Sequence, residues 1–267
     1  MSVEPALRTT QLAGVELHAL DEAGTIAHVM SALEIGKGGW LVNPNVDVLR
    51  QIERDPQVRR LVGQATLVVA DGAPLEWAAR LAGTPLPPRV PGSTLIWSLS
   101  KAAARSGRSI FLLGGAPGVA ERAVAALTED VRAAGAPELR VAGTHCPPLG
   151  FENDPAELAA IRAALAAAQP DIVFCGLGFP KQEKLISWLV DEFSGTWFIG
   201  SGASLAFAAG EVARAPQWLR RIGAEWVFRL VSEPRRLARR YLVHDAPYAL
   251  GLLARSALAG RRARRSS

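Results

Sequence analysis

At 267 residues, 49% of them hydrophobic and with a mean hydropathy of +0.14, the chain has the material for one large α/β domain with an appendage, or for two small domains; it is not a disordered chain. Its two cysteines, Cys146 and Cys175, exclude a disulfide framework and a cysteine-based zinc site. The net charge of +5 is unevenly spread: beyond residue 211, 13 arginines and no lysine meet only Glu225, Glu233 and Asp245, a balance of +10, while residues 1–211 carry 17 basic and 22 acidic side chains, a balance of −5.

In chain order, Thr9 to Leu20 reads as a strand or hairpin entry. The segment holds Glu16 and His18, with Glu4 and Arg8 just before it, which does not fit a secretory leader. Helical spacing through Ile26, Val29, Met30 and Leu33 predicts a helix from Glu22 to Ile35. Trp40 to Val42 is a strand that stops at Asn43-Pro44-Asn45. A helix through Val46, Leu49 and Ile52 and another around Val58 to Val62 follow. Leu67, Val68, Val69 and Ala70 form a short apolar run with β-branched members, suited to a strand buried on both faces, and it stops at Asp71-Gly72. Asp71 has two readings: a carboxylate at a strand's carboxyl end, where open α/β sheets bind ligands, or the cap of a helix starting near Ala73.

Beyond Asp71 the alternation continues. A helix over Leu75 to Leu81 leads to the proline-rich loop Gly83 to Pro91, which carries Arg89, and to a helix from Gly92 to Ser106. Strands are predicted at Ser109–Leu113, Leu139–Gly143, Asp171–Cys175 and Thr196–Ile199. Helices are predicted at Val119–Ala134, Pro155–Ala168 and Gln182–Phe193. Strands alternating with helices imply a Rossmann-like, mostly parallel sheet flanked by helices. In such a sheet Asn43, Asn45, Asp71, Gly114, Gly115, Gly176, Gly178, Gly200 and Gly202 all fall at one edge and surround one crevice. Glycines there let backbone N–H groups and helix N-termini approach a phosphate, although each also suits a tight turn. No full G-x-G-x-x-G, D-x-D, H-E-x-x-H or P-loop occurs, so neither a dinucleotide cofactor nor a dedicated metal site is expected.

After Gly210 the character changes. Trp218, Ile222, Trp226 and Leu230 share helical spacing, and Arg221, Glu225 and Arg229 form a ladder on a neighbouring stripe. Pro234 breaks the pattern. Arg235, Arg236, Arg239 and Arg240 follow among Leu237 and Tyr241, then a short apolar segment at 246–258 and a basic tail at Arg261–Arg265. Residues 212–267 thus read as a helical basic C-terminal appendage to a 1–211 core. Aromatic and leucine residues beside arginines suit an interfacial helix on an anionic membrane surface; docking on the core with a solvated basic face is the alternative, and no motif supports nucleic acid. No apolar run reaches the ~18 residues of a spanning helix. A cytosolic or peripheral protein is expected.

NPNVDVL (43–49), VVADG (68–72), RVPGS (89–93), FLLGG (111–115), GLGFPKQE (176–183) and the long stretch from Gly200 to Tyr241 run in an order that resembles the WecG/TagA/CpsF glycosyltransferases, glycosyltransferase family 26. The resemblance implies an inverting bacterial enzyme that needs no metal or cofactor. It implies transfer of a sugar, typically N-acetylmannosamine, from a UDP-sugar to a polyprenyl-diphosphate-linked N-acetylglucosamine at the inner face of the plasma membrane. By that resemblance Asp71 matches the general base, Asn45 an asparagine near the acceptor, and Arg89 the arginine of R-V-x-G. Gln182, beside Glu183, matches the glutamine near the nucleotide phosphates, and Arg229, Arg236 and Arg239 match appendage arginines. Asn43, Gly114, Gly115, Gly176 and Gly178 complete the substrate-binding set. Three departures stand out: Asn43 for the motif's threonine, and Thr94 and Ala206 where the family has aspartates. The chemistry agrees: an acceptor hydroxyl needs a base, and a leaving diphosphate without metal needs guanidinium groups and backbone N–H groups. Two other readings remain: a homologue that binds UDP-sugar without turnover, favoured by Ala206, and a nicotinamide oxidoreductase. The donor sugar, the pathway and self-association stay open.

Overall fold

The computed structural model describes residues 7–216, 218–219 and 223–266. Arg221 and Ile222, members of the ladder and stripe read from the sequence, lie outside the described residues, as does the side chain of Arg236. A hairpin opens the chain, β1 (Thr9–Leu12) and β2 (Val15–His18). Its two-residue turn, Ala13-Gly14, has positive φ at both positions (51° and 73°), the twist that a tight hairpin requires.

Six parallel strands build the main sheet: β3 (Gly39–Val42), β4 (Leu67–Val68), β5 (Ser109–Gly114), β6 (Arg140–His145), β7 (Ile172–Gly176) and β8 (Trp197–Gly200), in the spatial order β4-β3-β8-β7-β5-β6. The connecting helices are α1 (Glu22–Glu34), α2 (Val46–Arg54), α3 (Pro56–Val62), α4 (Ala73–Ala82), α5 (Gly92–Arg105), α6 (Val119–Ala133), α7 (Pro155–Ala168), α8 (Lys181–Leu189) and α9 (Ser204–Ala208). Strand residues alternate between two cores. Phe111, Leu113 and Val173 pack with α2, α7 and α8 on one face. Ile110, Leu112 and Phe174 pack with α1, α5 and α6 on the other. Both faces are covered, which is why the strands read as continuous apolar runs.

Two expectations need correction. The run 67–70 pairs as a regular strand only at Leu67–Val68, β3 itself ending at Val42 just before Pro44. Val69 still donates to the Val42 carbonyl (3.0 Å), and the Ala70 carbonyl accepts from Val90 N–H (2.8 Å). The exposed edge of β4 is closed by His18, whose Nδ1 accepts the Val68 N–H at 3.1 Å; burial holds that imidazole below its ordinary proton affinity, consistent with an acceptor nitrogen. The second correction is at the C-terminus: the apolar segment and the basic tail form one 21-residue helix, Ala246–Ser266.

That helix lies along α4. Leu252 and Ser256, four residues apart, are buried, and Gly260 one turn later touches the α4 backbone so closely that a Cβ would stand 2.1 Å from the Leu81 carbonyl oxygen. Before it run the helices Glu225–Ser232 and Pro234–Ala238 and a π-helical stretch, Arg239–Asp245. A four-charge cluster ties this stretch to α2. Arg50 bonds Asp47 and reaches Asp245 at 3.3 Å; Arg240 reaches Asp47 at 3.1 Å and Asp245 at 3.4 Å.

Gly260→Val should therefore lift the C-terminal helix off α4 and destabilise the protein by about 1–3 kcal/mol, as overpacking does elsewhere. A denaturant midpoint matching wild type would show that the helix is not held there.

Candidate functional site

Parallel strands put every carboxyl end at one edge. Helices α4, α5, α6, α8 and α9 all start there, and none has a side-chain N-cap. The Gly92 N–H that opens α5 is taken by Asn43 and Asp71, and Leu75, Val119, Gln182 and Ser204 N–H bond nearby carbonyls; any helix-start N–H left over can face an anion. The connection leaving β7 runs through α8 toward β8, while the one leaving β5 runs through α6 toward β6 on the opposite face. Such a divergence is where α/β sheets open a ligand crevice.

Asp71 sits just past β4. Its N–H donates to the Pro44 carbonyl (2.9 Å), which fixes the backbone. The capping alternative is set aside: the N-cap of α4 is Gly72, at φ 124°, and no side chain caps that helix. The Asp71 carboxylate is left to the crevice. Burial pushes its proton affinity up, Glu225 adds to the rise, and Arg89, Arg229 and the Gly92 N–H oppose it; the balance lies at about 7. A base near neutrality is matched to proton abstraction at working pH.

The groups around Asp71 come from distant segments. Arg89 is held by Glu76 of α4, whose Oε1 accepts the Arg89 N–H at 2.5 Å and faces the guanidinium at 3.9 Å. Arg229 lies over the ring of Phe207 in α9 at 5.2 Å. Its Nε is buried and has no hydrogen-bond partner among the described residues. Gly223, just before the Glu225–Ser232 helix, is so close to Ala73 that a Cβ there would meet the alanine methyl at 2.4 Å, which seats that helix against the start of α4.

Asn43 joins three segments. With its amide oxygen facing the donor and its nitrogen the acceptor, it accepts from Gly92 N–H (2.8 Å) and donates to the Gly200 carbonyl (2.9 Å). A Cβ on Gly92 would stand 2.8 Å from the end of the Asn43 amide, so a larger residue would displace that side chain from its bonds. The Asn45 side-chain oxygen caps α2 by accepting Val48 N–H at 3.1 Å, which orients its amide nitrogen. Arg239 is exposed at the start of the π-helical stretch. Thr94 accepts from Arg214 at 3.4 Å, and Ala206 precedes the Phe207 that underlies Arg229.

The glycines divide. Gly114 and Gly176 are demanded by loop packing: a Cβ on Gly114 would lie 2.6 Å from the Gly176 carbonyl, and one on Gly176 3.1 Å from Leu205. Gly115 N–H already donates to Gly176 (3.1 Å), and Gly178 and Gly202 N–H both donate to Gln182 (3.2 Å each). Donors for a phosphate are therefore the helix starts rather than these three amides. Gln182 and Glu183 lie under the crevice, 4% and 1% exposed. Glu76, Gly92, Phe207 and Glu225 were given no role from the sequence. Gly92 sat inside RVPGS and Glu225 inside the charge ladder, and those positions were the available signals. Among the described residues no group of three or more His, Cys, Asp or Glu is placed to hold a metal.

The strand ends of this parallel α/β sheet thus bring together a carboxylate of raised proton affinity, Asp71, and two arginines, Arg89 and Arg229, an arrangement suited to group transfer. Residues 10–263 match the Glycosyl transferase WecG/TagA/CpsF family, and the chain belongs to it; it is a glycosyltransferase. Among its relatives is the N-acetylglucosaminyldiphosphoundecaprenol N-acetyl-beta-D-mannosaminyltransferase of Bacillus spizizenii, 29% identical over 207 residues, 78% of this chain and 76% of that one. Proteins of the same description from Staphylococcus aureus strains MW2 and NCTC 8325 are each 31% identical over 200 residues, 75% of this chain and 74% of theirs.

The raised Asp71 affinity has a sign that stability measurements can read. The folded protein binds this proton more tightly than the unfolded chain, whose carboxyl titrates near 3.8. The corresponding stability is present below that value and is lost as pH rises through about 7. Asp71→Asn removes the penalty, so at pH 8 the variant should be more stable than wild type, by up to about 4 kcal/mol, with the difference shrinking toward pH 4. Denaturant melts at both pH values check this; an Asn variant less stable at pH 8 would refute it.

Proposed function

We propose that this glycosyltransferase moves N-acetylmannosamine, or a related hexose, from a UDP-sugar to a polyprenyl-diphosphate-linked N-acetylglucosamine, with inversion and without a bound metal. The observation that carries the reading is Asp71, near neutral in proton affinity, with Arg89 and Arg229 close enough to act on its charge. The relatives' shared description supplies the substrate class.

In this reading Asp71 accepts the proton of the acceptor hydroxyl as that oxygen attacks the anomeric carbon, and the bond to the UDP oxygen breaks on the opposite face. The leaving diphosphate gathers negative charge, which guanidinium forks and helix N-termini stabilise where water is excluded. Arg89 is oriented for this by Glu76, and Arg229 by Phe207. Glu225 raises the basicity of Asp71 and so drives proton abstraction.

The acceptor's lipid tail suggests where the enzyme works. Among the described residues no helix is long and apolar enough to cross a membrane. Yet Trp77, Trp226, Val231, Leu242, Val243 and Leu250 expose 44–74% of their surface on and beside a segment with a charge balance of +10. We assign residues 212–267 to an appendage that rests peripherally on an anionic membrane at the cytoplasmic face. Each arginine near such a surface adds about 1 kcal/mol at most, so binding is reversible and weakens with salt.

Incubation with a panel of UDP-sugars and polyprenyl-diphosphate-N-acetylglucosamine, followed by mass analysis, should give one hexosamine addition with UDP-N-acetylmannosamine, and should give it in excess EDTA. Asp71→Asn should lose ~10²-fold or more in turnover while still binding UDP. No product from any donor, or product only with added divalent metal, would contradict the reading.

A further inference from the structure

Two buried polar side chains under the crevice are left without a part in this chemistry. Gln182 and Glu183 begin α8, and neither reaches solvent. Gln182 Oε1 accepts two backbone N–H groups, from Gly178 in the loop after β7 and from Gly202 in the loop after β8, each at 3.2 Å. Its Nε2 donates to Glu183 Oε1 at 2.8 Å. Glu183 Oε2 is buried and has no hydrogen-bond partner among the described residues. The pair sits hard against the end of β8: a Cβ on Gly200 would lie 2.8 Å from Gln182 Nε2 and 3.0 Å from Glu183 Oε1. Gly200 is also the residue whose carbonyl accepts from Asn43.

An amide can rotate by half a turn with little change in shape. Rotated here, the Gln182 NH₂ would face two N–H donors, and its oxygen would face a carboxyl. In the observed orientation Glu183 Oε1 is the acceptor of the Gln182 amide, and an acceptor at that position favours this orientation over the rotated one. A buried carboxyl with an unpaired oxygen is a costly way to fill space, whereas an acceptor that fixes an amide is something a leucine could not supply.

We propose that Glu183 is a positioning residue of the donor side: it sets the Gln182 amide, and that amide pins the β7–α8 and β8–α9 loops into the shape that receives the nucleotide diphosphate. This rests on reading the β5/β7 crevice as the donor site. Both act through the loops, so their loss should appear in donor binding and loop mobility, while Asp71 governs the chemical step.

The test is a reciprocal exchange. Glu183→Leu removes the acceptor, and Gln182→Glu sets two carboxyls against each other. The double variant Q182E/E183Q restores one donor and one acceptor with the roles swapped: the carboxylate introduced at position 182 can take the two glycine N–H groups and the amide introduced at position 183. Each single variant should weaken UDP binding by about tenfold or more in calorimetry, the scale of a hydrogen bond to a charged partner. Each should also speed amide hydrogen exchange in peptides covering 176–183 and 200–205. The double variant should recover both. If Gln182→Glu does not fold, E183Q alone decides, since an amide partner no longer dictates orientation and exchange in the two loops should rise. A double variant no better than Gln182→Glu, or single variants with wild-type exchange, would overturn the proposal. Failure of the wild-type protein to bind UDP would instead sink the donor-site reading, and the exchange measurements would still decide whether Glu183 sets the amide.

Discussion

Asp71 is partly buried at the end of β4, and that desolvation shapes the rest of the site. Burial raises the carboxyl's proton affinity and Glu225 adds to the rise, while Arg89, Arg229 and the Gly92 N–H oppose it, for a balance at about 7. Asp71, the Arg89 loop, the Gly92 turn and the distant Glu225–Arg229 turn must therefore converge within a charge's reach of one another. The sheet supplies the convergence for three of them, because parallel strands deliver β4, the loop to Arg89 and the start of α5 to the same edge. The fourth, Glu225 with Arg229, comes from beyond the sheet.

That fourth segment is seated by contacts that tolerate little change. Gly223 meets Ala73, and Gly260 meets the Leu81 carbonyl, so the appendage touches α4 near both of its ends. Between them the charges of Asp47, Arg50, Arg240 and Asp245 interlock across α2 and the π-helical stretch. Largely desolvated charges of this kind add little net stability, but removing one partner leaves another uncompensated, which favours one docked arrangement over its neighbours. π-helical turns often mark functional sites, and here one carries two of the four charges. The helix bearing Glu225 and Arg229 is thus coupled to the core through α2 and α4, the helices that follow the two strands ending at Asn43 and Asp71.

Much of this was legible from the residues. Buried apolar runs ending in glycine, alternating with helical spacing, gave the parallel sheet and its single functional edge, and Asp71 stood out because nothing apolar could explain it. Other features depended on contacts that no local pattern carries. Regular pairing of β4 ends at Val68, beyond which Val69 still bonds Val42 of β3 while the Ala70 carbonyl accepts from Val90 in the following loop. The C-terminal helix looked like an apolar piece plus a tail because its docking face is made of small residues, Ser256 and Gly260, rather than large apolar ones. Gly114 and Gly176 looked like phosphate contacts, and close packing of adjacent loops is what requires them. The cap that Asn45 makes on α2 also went unread, because a helix cap and a site asparagine share one sequence signature. Glu225 could not be found locally, since its partner lies in another half of the molecule.

The central claim is that a carboxylate near neutrality, tuned by a glutamate from the C-terminal segment, lies at the strand edge. Carbon-13 NMR of the Asp71 carboxyl, assigned by comparison with Asp71→Asn, measures it directly. The account predicts a midpoint close to 7 in the intact chain and a clear fall in Glu225→Gln, with the arginines then unopposed. An Asp71 that titrates near the ordinary 3.8 in the intact chain, unmoved by the Glu225 substitution, would contradict it.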